Sequence, residues 1–307
     1  MRILRREPAR SGTAIAVGSF DGVHLGHQAM LARVREKAAR RALAPAALTF
    51  EPLPREFFAG NAAPPRLSSL AEKLALLAAA GIGEAFVERF DARFAAIPAP
   101  VFAQRLARHY GARWVIVGPD FRYGSRRQGD VEALRAAGRQ HGFEVEVLEA
   151  VQVDGARVSS TRVREALAAA KFPDAARLLG RPYAICGRVL HGAKRGRAMG
   201  FPTANVRLAR PRAPLSGIFA VKCFTAATRG LEGVASLGSN PALGPGGPET
   251  LEAFLFDFSG DLYGERLSIE FVKKLREEAA FASLEALAAQ IARDCDAARA
   301  HFRATRT

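Results

Sequence analysis

The sequence predicts an α/β, doubly wound parallel-sheet domain followed by a small antiparallel β-barrel domain that ends in a helix. Three observations carry this expectation. Short apolar runs alternate with helix-period segments through the first half, the period changes after Gly180-Arg181-Pro182, and short strand-like runs separated by glycine and proline follow. The 307 residues suit two domains, expected at 1–182 and 183–307, and 49% hydrophobic with 24% charged residues is ordinary globular composition.

A net charge of +15 raises the possibility of a nucleic-acid-binding protein. The excess of Lys and Arg is spread over both halves, without a basic tail or an aromatic-studded basic stripe. Attraction to polyanionic nucleotides therefore fits better, and no nucleic-acid partner is expected. Cys186, Cys223 and Cys295 are far apart and in no C-x-x-C spacing, which supports neither a disulfide framework nor a thiolate zinc site. A reduced, cytoplasmic setting is expected. The segment from Met1 to Glu7 lacks an apolar leader region, and no apolar run is long enough to span a bilayer, so no membrane partner is expected either.

In chain order, residues 13–17 read as a first strand. A helical pattern from Gln28 puts Met30, Leu31, Val34 and Ala38 on one face and Arg33, Arg35 and Lys37 on the other. Between them lies Gly18-Ser19-Phe20-Asp21-Gly22-Val23-His24-Leu25-Gly26-His27. Two imidazoles three residues apart, beside the unbonded N–H groups of a helix start, suit a nucleotide phosphate. No other residues stand at ligand spacing to make His24 and His27 a metal pair, and neither G-x-x-x-x-G-K-[ST] nor G-x-G-x-x-G follows the strand.

Residues 45–50 form the next expected strand, ending in Glu51-Pro52-Leu53-Pro54, whose prolines should stop regular structure and leave a carboxylate at a ligand edge. A helix capped by Ser68 or Ser69 runs to about residue 80. A strand at 85–88, a helix at 100–110, a strand at 113–118, a helix at 131–141 and a strand at 144–148 complete the alternation. Five parallel strands place ligands at their carboxyl ends. Two further loops fall there. The stretch 118–130 holds Asp120, Phe121 and Arg122 among glycines, which suits backbone approach, ring stacking and phosphate pairing. In Ser159-Ser160-Thr161-Arg162-Val163-Arg164, hydroxyls at a helix start and a guanidinium one turn on can reach one phosphate.

Beyond the boundary, strands are expected at 184–190, 218–224, 233–237, 251–258 and 266–272. A helix at 283–300 would bury Leu284, Leu287 and Ile291. The loop after the first of these strands, with Gly192, Gly196 and Arg197, brings flexible backbone donors and cations that suit a phosphate, or forms a mobile basic hairpin.

The combination is specific. Gly-x-Phe-Asp-Gly-x-His-x-Gly-His, the Phe50-Glu51-Pro52-x-Pro54 loop, Gly118-x-Asp120-Phe121 with Gly129-Asp130, and Ser159-Ser160-Thr161-x-x-Arg164 occur in the order and spacing of the bacterial FMN adenylyltransferase module, which residues 12–180 resemble. The H-x-G-H and S-S-T-x-x-R signatures place this half, by resemblance, in the nucleotidyltransferase superfamily. Pro202-Thr203-Ala204-Asn205, 215–220 and 256–264 resemble riboflavin kinase over about 183–303. Fused in this order, the two modules resemble the bacterial bifunctional riboflavin kinase/FAD synthetase almost end to end.

That resemblance implies phosphorylation of riboflavin to FMN by ATP, then attack of FMN on the α-phosphate of ATP to give FAD and pyrophosphate. His24 and His27 would meet the triphosphate, with Gly18, Phe20, Asp21 and Gly26 forming the nucleotide turn, and Ser160, Thr161 and Arg164 would stabilise the leaving pyrophosphate. Glu51, Pro52, Asp120, Phe121 and Arg122 would wall the flavin and nucleotide. In the second module Glu252 matches the general base, Thr203 and Asn205 the magnesium and phosphate ligands, and Gly192, Gly196 and Arg197 the nucleotide loop. Mg2+ is the implied cofactor, ATP, riboflavin and FMN the implied partners, and transient contact with flavin-accepting apoproteins is a further expectation. There is one departure: many relatives carry Arg-Pro-Thr where this chain has Asn240-Pro241-Ala242. An adenylyltransferase with an impaired kinase is therefore the alternative reading.

Overall fold

The computed structural model describes residues 1–5, 7–191, 200–228, 230–239 and 249–306. They form two compact units, 1–64 with 70–160, and 65–69 with 161–307. The expected break at 180–182 lies within the second of these.

The first unit is built on β1 (Arg2–Leu4), β2 (Thr13–Val17), β3 (Ala44–Glu51), β4 (Glu84–Arg89), β5 (Ala112–Val117) and β6 (Glu144–Val147). They pair in the order β1-β4-β3-β2-β5-β6, every pair parallel. The helices are α1 (Leu25–Arg41), α2 (Pro54–Ala59), α3 (Leu70–Ala79), α4 (Ala92–Ala95), α5 (Ala99–Arg108) and α6 (Val131–His141). Strand alternation sorts the core into two layers. Ala14 and Ala16 face Leu31 and Val34 of α1 and Leu77 of α3, while Ile15 and Val17 share a cluster with Phe102 and Leu106 of α5 and Leu134 of α6.

From β2 the chain steps through β3 and β4 to one side, then crosses to β5 and β6 on the other. The connection reverses between β2 and β5, and crevices open beyond the carboxyl ends of strands at such a point. The 18–27 and 118–130 segments leave those two ends.

Two expectations change here. Pro54 does not stop regular structure but opens α2, where a missing N–H costs nothing, and Glu56 accepts from the Leu53 N–H at 2.8 Å to close the turn. The edge strand β1 lies outside the expected five, because only three residues pair and only with β4. A short hairpin, β7 (Gln152–Val153) with β8 (Ala156–Arg157), leads to α7 (Ser160–Ala168), which is followed by α8 (Phe172–Leu179).

The second unit holds a closed antiparallel barrel of β9 (Ala184–Leu190), β10 (Thr203–Val206), β11 (Gly217–Phe224), β12 (Leu231–Ser239), β13 (Glu249–Leu255) and β14 (Arg266–Arg276), in the order β10-β13-β12-β11-β14-β9. Six strands close it where five were expected. The added one is β10, too short and polar to read as a strand until it pairs with β9 and β13 on its two sides. Phe172 of α8 packs with Phe219 and Phe271 of the barrel.

Helix α9 (Leu284–Thr305) covers one wall with Cys295, Ala298 and Phe302 against Ile218, Ala220 and Val234. The expected stripe is displaced toward the carboxyl end: Leu284 is 62% exposed, and Ile291 is the member that packs.

Candidate active sites

The first site grows from the turn between β2 and α1. Gly22 takes a positive φ of 81°, and Phe20 and Val23 also lie at positive φ, which coils the segment tightly enough to bury Phe20 and Asp21. His24 is extended at the N-cap of α1 and its Nδ1 accepts from the His27 N–H at 3.4 Å. The rings of His24 and His27 stack with centroids 3.7 Å apart, and Phe20 meets His27 edge-on at 5.2 Å. At Gly26 a Cβ would stand 3.2 Å from His24 Cε1, so a larger residue there would press on the His24 ring.

Burial first, then the His24 ring and the Lys73 ammonium, hold the His27 imidazole well below the ordinary histidine range, so it is neutral at pH 7. Among the described residues its buried Nδ1 has no hydrogen-bond partner. A neutral, desolvated imidazole at a helix start is a hydrogen-bonding group without its own net charge, beside N–H groups that attract an anion.

The Ser160 hydroxyl donates to the Asp21 carbonyl at 3.0 Å, joining residues 139 positions apart and bringing Ser160 to the histidine turn. Thr161 follows in the first turn of α7, and Arg164 lies one turn on, its Nε donating to the Pro65 carbonyl at 2.6 Å.

On the 118–130 segment, the Tyr123 and Gly129 backbones bond reciprocally at 3.0 and 2.9 Å, and Phe121 stacks on Tyr123 at 5.6 Å. Gly129 is required there, since a Cβ would lie 2.5 Å from the Tyr123 ring. Asp130 caps α6 by accepting from the Ala133 N–H at 2.9 Å, and its second oxygen takes Arg122 at 3.1 Å. Those contacts, the cap bond foremost, hold its carboxyl below the usual range. Arg122 is thereby tied back to the cap. Asp120 is exposed and pairs with Arg157.

Glu51 ends β3 and its carbonyl accepts from the Phe90 N–H at 3.2 Å; the bond to Pro52 is cis. Sequence reasoning missed the aromatic surface beside it. Phe58, 71% exposed, and Phe57 of α2 each contact Phe90, with centroids 5.7 and 5.5 Å apart. The signal was the adjacent Phe pair just after the second proline. It also missed Lys73, which shares the buried face of α3 with Leu74 and Leu77.

The second site is set by barrel register. Asn205 lies directly across from Glu252, and the Thr203 hydroxyl donates to Glu252 Oε2 at 3.3 Å. A hydroxyl, an amide and a carboxylate thus converge at one place on the wall, and their oxygens are hard donors of the kind Mg2+ takes. Beside them opens a cleft of about 370 Å³ lined by Val189, Pro202, Thr203, Leu255, Phe258 and Tyr263. Tyr263 meets His191 at a tilt of 35°, centroids 3.8 Å apart. Gly192, Gly196, Arg197 and the Asn240-Pro241-Ala242 departure lie outside the described residues.

One parallel-sheet site with stacked histidines at a helix start and one barrel site with converging oxygen donors define a two-site, nucleotide-handling transferase. Comparison makes the class particular. A family described as FAD synthetase matches residues 6–162 and one described as riboflavin kinase matches 179–302. A relative from Pseudomonas fluorescens is 47% identical over 294 residues, covering 95% of this chain and 94% of the relative. One from Escherichia coli strain K12 is 43% identical over 298 residues, covering 97% and 95%. Both are named bifunctional riboflavin kinase/FMN adenylyltransferase. The chain belongs to that family, and so carries both activities, riboflavin to FMN and FMN to FAD, each at the expense of ATP. A crystal structure of a Streptococcus pneumoniae protein named a macrolide-efflux protein shares the fold, at 27% identity and a TM-score of 0.77 over 95% of this chain and 97% of that one. Among the described residues no helix is long and apolar enough to cross a membrane.

Proposed function

We propose that the two reactions are divided between residues 1–182, which transfer the adenylyl group, and residues 183–307, which phosphorylate riboflavin. The observation that carries this division is the Thr203, Asn205 and Glu252 cluster on the barrel wall. Adenylyl transfer to an already ionised phosphate needs no such base. The ribityl hydroxyl must lose a proton to attack the γ-phosphate, and Glu252 is the carboxylate that accepts it. The new bond is O–P, the broken one joins the β–γ bridging oxygen to the γ-phosphorus, and ADP leaves. Thr203 Oγ1 and the Asn205 amide oxygen would hold Mg2+, whose charge offsets that of the ATP phosphates. Gly192, Gly196 and Arg197 complete the nucleotide loop.

The FMN phosphate is already ionised at neutral pH, so the first-unit site needs no base and works by positioning and charge stabilisation. Gly18, Phe20, Asp21 and Gly26 shape the turn in which His24 and His27 meet the triphosphate. Ser160, Thr161 and Arg164 take the charge that grows on the pyrophosphate as the α-phosphorus is attacked. Glu51, Pro52, Asp120, Phe121 and Arg122 flank the acceptor, and the exposed faces of Phe57 and Phe58 suit a flat isoalloxazine ring. The enzyme works in the cytoplasm, without nucleic-acid or membrane partners, and hands flavin to apoproteins through transient contact.

The test is Glu252→Ala in the full chain, given riboflavin, ATP and Mg2+, with the flavins separated. FMN formation is expected to fall at least about a hundredfold, the scale of a lost general base, while FAD formation from supplied FMN persists. Equal loss of both activities would contradict the division.

A further inference from the structure

Lys73 is fully buried on the same face of α3 as Leu74 and Leu77, where a leucine or methionine would complete the stripe at less cost than an ammonium. Its Nζ stands 3.1 Å from Thr49 Oγ1 and 3.4 Å from the Phe50 carbonyl, both at the carboxyl end of β3. An ammonium can only donate, so the Thr49 hydroxyl accepts from it and turns its single proton to the Ser19 carbonyl, 3.2 Å away. Ser19 belongs to the nucleotide turn, whose Gly18 N–H is already held by the Leu48 carbonyl at 3.1 Å. A side chain on α3 thus reaches through β3 to the backbone that cradles the proposed triphosphate.

The same ammonium bears on His27. Among the described residues, the charged or titratable groups that act on that ring are His24 at the N-cap of α1 and Lys73 of α3, with the Phe20 ring at its edge. Its buried Nδ1 has no partner among the described residues to fix the ring otherwise.

We propose that Lys73 is a positioning residue for adenylyl transfer: through Thr49 it fixes the Ser19 carbonyl of the nucleotide turn that receives ATP, and its ammonium adds to the positive field acting on His27 in that turn. This rests on the assignment of residues 18–27 to the triphosphate. Lys73 acts through Ser19 and His27, so its loss is felt first in ATP binding.

The experiment compares full-length Thr49→Val, Lys73→Met and His27→Ala with the unaltered chain. FAD formation from FMN is followed against ATP concentration over about pH 5 to 9, the range in which histidine titrates, with riboflavin phosphorylation by the same samples as the internal reference. Thr49→Val keeps the side-chain shape and is expected to raise the KM for ATP about tenfold, the scale of one hydrogen bond to a charged group, with the acid limb of kcat/KM unmoved. Lys73→Met is expected to raise that KM and to move the acid limb to higher pH, since His27 regains basicity. Riboflavin phosphorylation stays at the reference level in both.

An unchanged KM for ATP in Thr49→Val overturns the proposal, as does an unmoved acid limb in Lys73→Met. Joint loss of both activities in Lys73→Met marks a scaffold lysine and also overturns it. His27→Ala separates the two readings. Normal FAD synthesis in that variant removes the triphosphate assignment itself, whereas its loss beside unaffected Lys73 and Thr49 variants removes only the role of Lys73.

Discussion

The His27 ring is stacked on the His24 imidazole and acted on by the buried Lys73 cation, and its buried Nδ1 has no partner among the described residues. Each opposes protonation, so the folded ring stays neutral well below the ordinary histidine range. In the unfolded chain the ring takes up a proton near pH 6.5, and unfolding therefore binds protons below that value. The contribution of neutral His27 to stability is fully present above about pH 6.5 and is lost as the pH falls. Denaturant unfolding at a series of pH values should show this decline, and His27→Gln should shrink it. His27→Ala is expected to lose FAD formation while keeping FMN formation, which flavin separation reads directly. The histidine pair was legible from the sequence because H-x-G-H sits at a strand-to-helix turn. Lys73 was legible only in principle, as a lysine in register with Leu74 and Leu77. What its charge does depends on Thr49 and Ser19, which approach it only in the fold.

Elements with their own period were readable, and those created by pairing were not. Helix α6 was expected at 131–141 and β9 at 184–190, as found, because each carries its signals locally: Asp130 and Gly142 around one, the alternation of buried Ile185, Gly187 and Val189 with less buried residues in the other. Strand β10 has no such signal, and its identity comes from hydrogen bonds to β9 and β13. The same pairing sets Asn205 opposite Glu252, so the kinase cluster is a product of register. Helix α9 was expected with the wrong stripe because the covered wall lies toward its carboxyl end. There Arg276 of β14 grips Asp294 of α9 with bonds of 2.8 to 3.1 Å, and Gln290 adds one at 2.9 Å. The Asp294 side chain is only 6% exposed, so Asp294→Ala takes three bonds from the largely buried Arg276 guanidinium, leaving it to the Glu277 carbonyl, and should lower unfolding stability by about 3 kcal/mol. Asp257→Asn, at an exposed pair with Arg299 that water screens, should cost far less. Denaturant titration of both variants measures the contrast; equal losses would remove the helix clamp from the account.

At the scale of the whole molecule, one chain joins a reaction that makes FMN to one that consumes it. The two steps ask for opposite chemistry. A neutral alcohol needs a base, which the Glu252 cluster offers, whereas an ionised phosphate needs only a charged and ordered cradle. Sites built for different nucleophiles can be disabled singly, and Glu252→Ala mixed with His27→Ala then tests how the intermediate travels. Neither variant alone should convert riboflavin to FAD. If FMN made by the His27 variant leaves into solution, the Glu252 variant will adenylylate it, and FAD will appear after a lag in which free FMN accumulates. Raising the proportion of the His27 variant should shorten that lag, because it sets the rate of FMN supply. Added FMN should abolish the lag. Time courses of the separated flavins distinguish this from retention on one chain, for which the mixture would accumulate no FAD although each variant keeps its remaining activity.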